Sequence, residues 1–142
     1  MKKVNLLGVV LLSTALSLSS CNNKLKAELE SVNTELMKGH DDVMPKTMQI
    51  ASVKKDLLAA AETSNDSLKN QALEISTSLQ KAEDDMYLWM DNFGKAMNDV
   101  KNEEEKLKLY KELNTEIKNI TTLTDESIAK AKAYVATNST VK

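Results

Sequence analysis

The chain has 142 residues, of which 21 are acidic and 19 are basic, and every basic residue is a lysine. This length is typical of one domain, and the absence of arginine argues against phosphate or nucleic-acid recognition, which favours the planar guanidinium group. With one histidine, one cysteine and no glycine-rich phosphate loop, the sequence offers little for nucleophilic catalysis. We therefore expect no enzyme activity, no nucleic-acid partner and no organic cofactor.

Residues 1–20 have the features of a bacterial export signal. Two lysines precede an apolar run from Val4 to Leu18, which is too short to span a bilayer. The run ends in Leu18-Ser19-Ser20-Cys21, which resembles the lipobox of bacterial lipoproteins, where the cysteine becomes the lipidated first residue of the mature protein. The resemblance implies a lipoprotein signal peptide over residues 1–20 and a lipid anchor, including palmitate, on Cys21.

The residues after the predicted anchor indicate a location in the cell envelope. Asn22 rather than aspartate follows Cys21, and by analogy with lipoprotein sorting in enteric bacteria this favours the outer membrane, with the domain in the periplasm. Two lysines leave with the signal, so the mature chain carries a net charge of about −4 at neutral pH, which suits a soluble body. We expect the lipid anchor to be its contact with the membrane.

A first amphipathic helix is expected after a short polar tether at residues 21–23. It begins near Lys24, and its apolar or small positions recur at steps of three and four, as a seam between helices requires. These positions are Leu25, Leu29, Val32, Leu36, His40, Val43, Thr47, Ile50, Leu57 and Ala61.

Pro45 interrupts this first helix. A proline inside a helix removes one hydrogen bond, and its ring clashes with the carbonyl group four residues earlier, here that of Asp41. Two interpretations follow. The helix continues with a kink between His40 and Pro45, which we favour because the apolar spacing keeps its phase. Alternatively, it stops at Lys38-Gly39 and restarts with Asp41 or Asp42 as its N-cap.

The segment Glu62–Asp66 predicts a turn, with Asn65 or Asp66 as the cap of a second helix. Gly94 is the expected end of that helix, because glycine is favoured just after the last helical residue. The second helix has the most regular seam in the chain, with apolar positions at Leu68, Ala72, Ile75, Leu79, Ala82, Met86, Trp89 and Phe93.

A third helix is expected to begin near Asn98 or Asp99, with the acidic run Glu103–Glu105 in its early turns. Three amphipathic helices with short connections predict an all-α, elongated up-down-up three-helix bundle of coiled-coil type over residues 24–136, followed by a frayed tail at residues 137–142. The seam of the third helix runs through Leu107, Tyr110, Leu113, Ile117, Ile120, Ile128, Ala131 and Val135.

The predicted hairpin places a histidine, a tryptophan and several methionines at one level. If the first turn centres near residue 64, positions whose numbers sum to about 128 face each other, so His40 lies near Trp89. Two interpretations remain open: a plain core, since methionine fills gaps in helical cores, or a copper(I) site, since thioethers and imidazole suit Cu(I). The candidate metal ligands are His40, Met37, Met44, Met86 and Met90, with Trp89 as a lid.

Two motifs after the lipobox carry a resemblance to a known group. They are His40-Asp41-Asp42-Val43-Met44-Pro45-Lys46 and Met86-x-x-Trp89-Met90-x-x-Phe93. Together they resemble small helical lipoproteins of Bacteroidota type that are often labelled "viral A-type inclusion protein", a label that reflects coiled-coil composition. The resemblance implies a helical lipoprotein and transfers no catalytic residue. We expect a structural or protein-interaction module that self-associates or binds a protein partner; the alternative is copper(I) binding or delivery.

Overall fold

A computed structural model describes residues 16–139, and these residues form four helices and no strand. The helices are α1 (Leu16–Thr47), α2 (Ile50–Ala61), α3 (Asp66–Asn98) and α4 (Glu103–Asn138). Helices α1 and α2 follow one another as a single bent rod, α3 returns antiparallel to it, and α4 packs against all three. The predicted all-α, up-down-up bundle of three rods is thus confirmed.

At both described ends of the bundle, the helices extend further than the sequence predicts. The backbone of α1 is helical from Leu16 through Cys21 and Asn23, so the prediction that the first helix begins near Lys24 is wrong. Asparagine costs a helix only about 0.7 kcal/mol relative to alanine, which a continuous helix on both sides can offset. At the other end, α4 extends to Asn138. Residues 1–15 and 140–142, with most of the predicted signal peptide and the last part of the predicted tail, lie outside the described residues.

The interruption of the first rod lies after Pro45 rather than before it. Helix α1 continues through His40 and Pro45 to Thr47, and α2 begins at Ile50. Between them the Gln49 N–H donates to the Lys46 carbonyl at 3.0 Å, a tightened turn. The favoured interpretation, a helix that continues past His40 and Pro45 with a bend, is confirmed, although the interruption lies a few residues later, at Met48 and Gln49. The alternative restart at Asp41 or Asp42 is wrong. Pro45 sits in the last turn of α1, where the helix ends two residues later.

The two turns differ in how well the sequence predicts them. The first is confirmed: Asn65 caps α3, its Oδ1 accepting from the Leu68 N–H at 3.0 Å. The second is displaced, because α3 continues through Gly94 to Asn98 and α4 begins only at Glu103. There the Asn102 side chain accepts from the Glu105 N–H at 2.9 Å. The predictions that Gly94 ends α3 and that the third helix starts near Asn98 or Asp99 are therefore wrong.

Helices α1 and α4 run parallel and approach closely. Glu28 Oε1 lies 2.6 Å from Lys111 Nζ, and Lys46 Nζ lies 2.7 Å from Asp125 Oδ1. The α1 backbone at Gly39 is so close to the Ile117 side chain of α4 that a Cβ atom would lie 2.9 Å from Ile117 Cγ2. Glycine at this position therefore allows α1 to pack directly on α4.

The buried core consists of two apolar clusters with a polar layer between them. Thr47, Thr124 and Ser127 form this layer and are at most 2% exposed. The first cluster, called the Trp89 cluster, comprises Leu36, Val43, Met86, Trp89, Ala96, Tyr110, Leu113, Ile117 and Ile120. The second, called the Tyr134 cluster, comprises Ile50, Leu57, Ala61, Ala72, Ile75, Leu79, Ala82, Ile128, Ala131 and Tyr134.

Candidate functional site

The structure brings His40 and Trp89 together, as the register argument predicts. Their ring centroids are 6.2 Å apart and the rings are inclined by 26°, a stacked arrangement. Trp89 stacks in turn on Phe93, with centroids 5.3 Å apart, and Phe93 contacts the ring of Tyr110 at 5.6 Å. A continuous series of four rings thus runs from α1 through α3 to α4. Its geometry matches the offset or tilted arrangements that aromatic pairs prefer.

Trp89 fixes α3 against α4. Its side chain is 1% exposed, and the indole Nε1–H donates a hydrogen bond to the Leu113 carbonyl oxygen at 2.9 Å. A buried indole without a partner would lose a hydrogen bond that it makes with water in the unfolded chain. Because this bond supplies the partner, Trp89 can occupy the core of the bundle with its polar atom satisfied.

His40 lies at the edge of the Trp89 cluster rather than inside it. Its side chain is 28% exposed, and Nδ1 is 3.0 Å from Oδ1 of Asp41. When Nδ1–H donates to this carboxylate, Nε2 carries the lone pair, which is the form of imidazole that binds metals or accepts hydrogen bonds. One face of the ring therefore contacts Trp89, while part of the side chain remains open to water.

The methionines of the predicted site divide into two groups. Met86 is fully buried within the Trp89 cluster, and Met44 and Met90 pack against that cluster while partly buried. Met37 is 41% exposed and does not join the cluster. The reason is helical geometry: Met37 follows the buried Leu36, and successive side chains point about 100° apart. The structure thus groups His40, Met44, Met86, Met90 and Trp89 at one level and leaves Met37 on the surface.

Tyr110 closes the cluster on the α4 side. It is 5% exposed, and burial raises the pKa of its phenol above the ordinary value of 10.0. The neutral phenol is therefore the form that the folded protein keeps through the physiological pH range.

In the described part of the chain, no three side chains of His, Cys, Asp or Glu come together as a hard-metal site would require.

Thr124 is a buried polar residue that the sequence argument overlooked. It is fully buried, and its Oγ1 has no hydrogen-bond partner within residues 16–139. A sequence signal for it existed, because Thr124 is four residues after Ile120 and four before Ile128, both on the predicted seam. The spacing of Thr124 from these two isoleucines therefore predicts a threonine in the core. In the structure it lies at the level of Thr47, the last residue of α1.

Comparison with family models, with curated proteins and with solved structures gave no match. Among the helices described between residues 16 and 139, none combines the length and the apolar character needed to cross a bilayer.

Proposed function

We propose that the protein is a lipid-anchored lipoprotein of the cell envelope, attached through Cys21 to the outer membrane, that acts as a non-enzymatic structural or protein-interaction module in the periplasm. Three features support this proposal. The Leu18-Ser19-Ser20-Cys21 sequence follows a basic and then apolar leader. The described chain is a helical bundle with charged outer faces. Large apolar side chains also lie on the outside of α3.

These exposed apolar side chains are the observation that carries the interaction role. Leu73, Tyr87 and Leu88 are 57%, 51% and 59% exposed. Leu73 and Tyr87 are 14 residues apart, close to four helical turns, so they lie along the same side of α3 at a distance of about 21 Å. Leu88 lies beside Tyr87, and the polar side chains of Thr77, Gln80 and Asp84 separate this pair from Leu73. Exposed apolar side chains on one helix side are the anchors that a partner helix buries in helix-on-helix association.

Site-specific photo-crosslinking in cells tests the interaction role. A photo-reactive phenylalanine analogue at Tyr87 should give a discrete cross-linked product, either a dimer of this chain or an adduct with one partner. The matched control is the same analogue at Thr115, an exposed residue that lies on α4 rather than on α3. If positions 87, 88 and 73 gave no discrete product, or if Thr115 gave the same product, the outer face of α3 would not be an interaction surface.

The second candidate function is copper(I) binding, and the grouping of His40 with three methionines favours it. Thioether sulfur and a neutral imidazole are soft ligands that suit Cu(I). Met44 and Met90 are partly exposed and can turn towards an ion beside His40, whereas Met86 is completely buried. An ion held there would lie near the face of Trp89, where a cation–π contact adds to binding.

A copper(I) titration of residues 22–142 under reducing conditions, with a competing chelator, tests this candidate. Binding of a single ion should quench Trp89 emission, and His40→Ala should weaken the affinity. Met48→Leu is the matched control, because Met48 is 73% exposed and does not belong to the Trp89 cluster. If the protein took no copper from a chelator weak enough to reveal micromolar binding, the methionines would be core residues and not metal ligands.

A further inference from the structure

We propose that the bundle stands on the membrane in one orientation, with the α3–α4 turn at residues 99–102 against the lipid surface and the α2–α3 turn at residues 62–65 pointing away from it. The partner is the lipid surface itself. This inference rests on the lipid anchor at Cys21 proposed above, and it adds which end of the fold meets the bilayer.

The parallel packing of α1 on α4 fixes where the anchor lies. Besides the Glu28–Lys111 contact, Asn114 Nδ2 donates to Glu35 Oε2 at 2.7 Å. The hydrogen bond from Lys111, with its charge, also lowers the pKa of the Glu28 carboxyl. Cys21 lies seven residues before Glu28, about 10 Å along the helix axis. Seven residues before Lys111 is Glu104, so the Cys21 backbone lies level with the first turn of α4.

The connection between the anchor and the bundle is helical. The backbone of α1 runs without interruption from Cys21, the first residue of the proposed mature chain, to Thr47. A flexible linker would let the bundle rotate freely above the lipid, whereas a helical connection transmits the direction of the anchored end to the rest of the rod. The first turn of α4 and the turn that precedes it are therefore held next to the bilayer.

The chemistry of this end also suits a lipid surface. Met97, in the last turn of α3, is 47% exposed and Val100 in the turn is partly buried, so this end of the bundle presents apolar groups. Lys101 Nζ donates to the Asn98 carbonyl at 2.7 Å, and Lys106 Nζ donates to the Met97 carbonyl at 2.8 Å. Both ammonium groups thus cover the end of α3. Apolar groups flanked by lysines are well placed at the interface between headgroups and acyl chains.

The charge of the anchored end is compatible with this orientation. Residues 22–28 and 95–106 form that end, and their five lysines balance five carboxylates. Anionic lipid surfaces repel negative charge within a Debye length, and the anchored end carries no net charge for them to repel.

The orientation places the far end well above the lipid. Helix α4 has 36 residues and is about 54 Å long at a rise of 1.5 Å per residue. A groove of about 580 Å³ between α3 and α4, with Leu68, Ile75 and Tyr134 in its lining, lies in this far half. In this orientation the groove is out of reach of the lipid headgroups, so a molecule that docks in it must come from the periplasm.

Depth-dependent quenching on the acylated full-length protein tests the orientation. The native Cys21 is acylated, so a newly introduced cysteine is the one free thiol. Lys101→Cys marks the near turn and Thr63→Cys, also exposed, marks the far turn. Each variant carries an environment-sensitive fluorophore and is reconstituted into vesicles of phosphatidylethanolamine and phosphatidylglycerol with headgroup-nitroxide lipid. The label at position 101 should lose emission, while the label at position 63 should keep it.

The outcomes separate this inference from the proposed anchor. Protein that floats with the vesicles but shows equal quenching at both positions, or stronger quenching at position 63, overturns the orientation and leaves the anchor intact. Protein that fails to float overturns both. A short Gly-Ser insertion between Asn23 and Lys24 should abolish the difference between the two labels while flotation persists. A difference that survives the insertion overturns the role of the helical connection.

Discussion

The two glycines of the bundle make a matched pair for testing how closely α1 packs on α4. Both lie inside helices, and no described residue has a backbone angle φ in the region that favours glycine. At Gly94 an added Cβ meets no atom within 4 Å. Gly94→Ala should therefore stabilise the protein by about 1 kcal/mol, the difference in helix propensity between the two residues.

Gly39→Ala should behave differently because its Cβ has no room. It would lie 2.9 Å from Cγ2 and 3.1 Å from Cγ1 of Ile117, a β-branched side chain that is 1% exposed. Such a side chain has little freedom to turn away, and overpacking of this kind costs about 1–3 kcal/mol. After the gain of about 1 kcal/mol in propensity, we expect a net change between zero and about 2 kcal/mol of destabilisation.

Urea unfolding of residues 22–142, followed by circular dichroism, measures both variants. The free energies of unfolding should differ by about 1–3 kcal/mol, with Gly94→Ala the more stable, while the dependence on urea stays the same. If both variants were stabilised equally, α1 would not approach Ile117 as closely as described.

Two further predictions concern buried groups of α4. Thr124→Val should raise the free energy of unfolding by about 1 kcal/mol, because it removes a buried hydroxyl that has no partner in residues 16–139. The control Thr115→Val, at an exposed site, should change the free energy of unfolding little. A destabilised Thr124→Val would show that the hydroxyl is satisfied. The raised pKa of Tyr110 means that its contribution to stability is complete below about pH 10 and is lost as the pH rises through the pKa of the folded state. Tyr110→Phe should therefore reduce the alkaline fall in melting temperature relative to the exposed control Tyr87→Phe, and equal slopes for the two variants would contradict this.

The sequence predicts the architecture well because the apolar spacing encodes it. Steps of three and four through Ile75, Leu79 and Met86 identify the buried side of α3, and these residues are buried in the structure. The same register arithmetic places His40 beside Trp89, because an antiparallel hairpin with a short turn leaves little freedom along the helix axes. Asn65 caps α3 as predicted, since a short polar side chain before an apolar run offers the backbone a ready acceptor.

The helix boundaries are predicted less well because single residues contribute little energy there. Gly94 disfavours a helix by only about 1 kcal/mol, and the neighbouring burial of Phe93 and Ala96 exceeds that cost. The cap formed by Asn102 then sets the start of α4. The spacing from His40 predicts Met37 at the candidate site, but Met37 directly follows the buried Leu36 and points about 100° away from it, which leaves Met37 exposed.

The polar layer of Thr47, Thr124 and Ser127 has a consequence for how the rod opens. It coincides with the point where α1 ends and α2 begins, so buried polar side chains and an interruption of the helical hydrogen bonds lie at the same height. Regions with few apolar contacts open at lower free energy than the units on either side. We expect amide hydrogen exchange to divide the bundle into two protected units, one around Trp89 and one around Tyr134, with faster exchange at Met48 and Gln49. In the proposed orientation, the half of the protein farther from the membrane could then unfold and refold while the half beside the lipid stays intact.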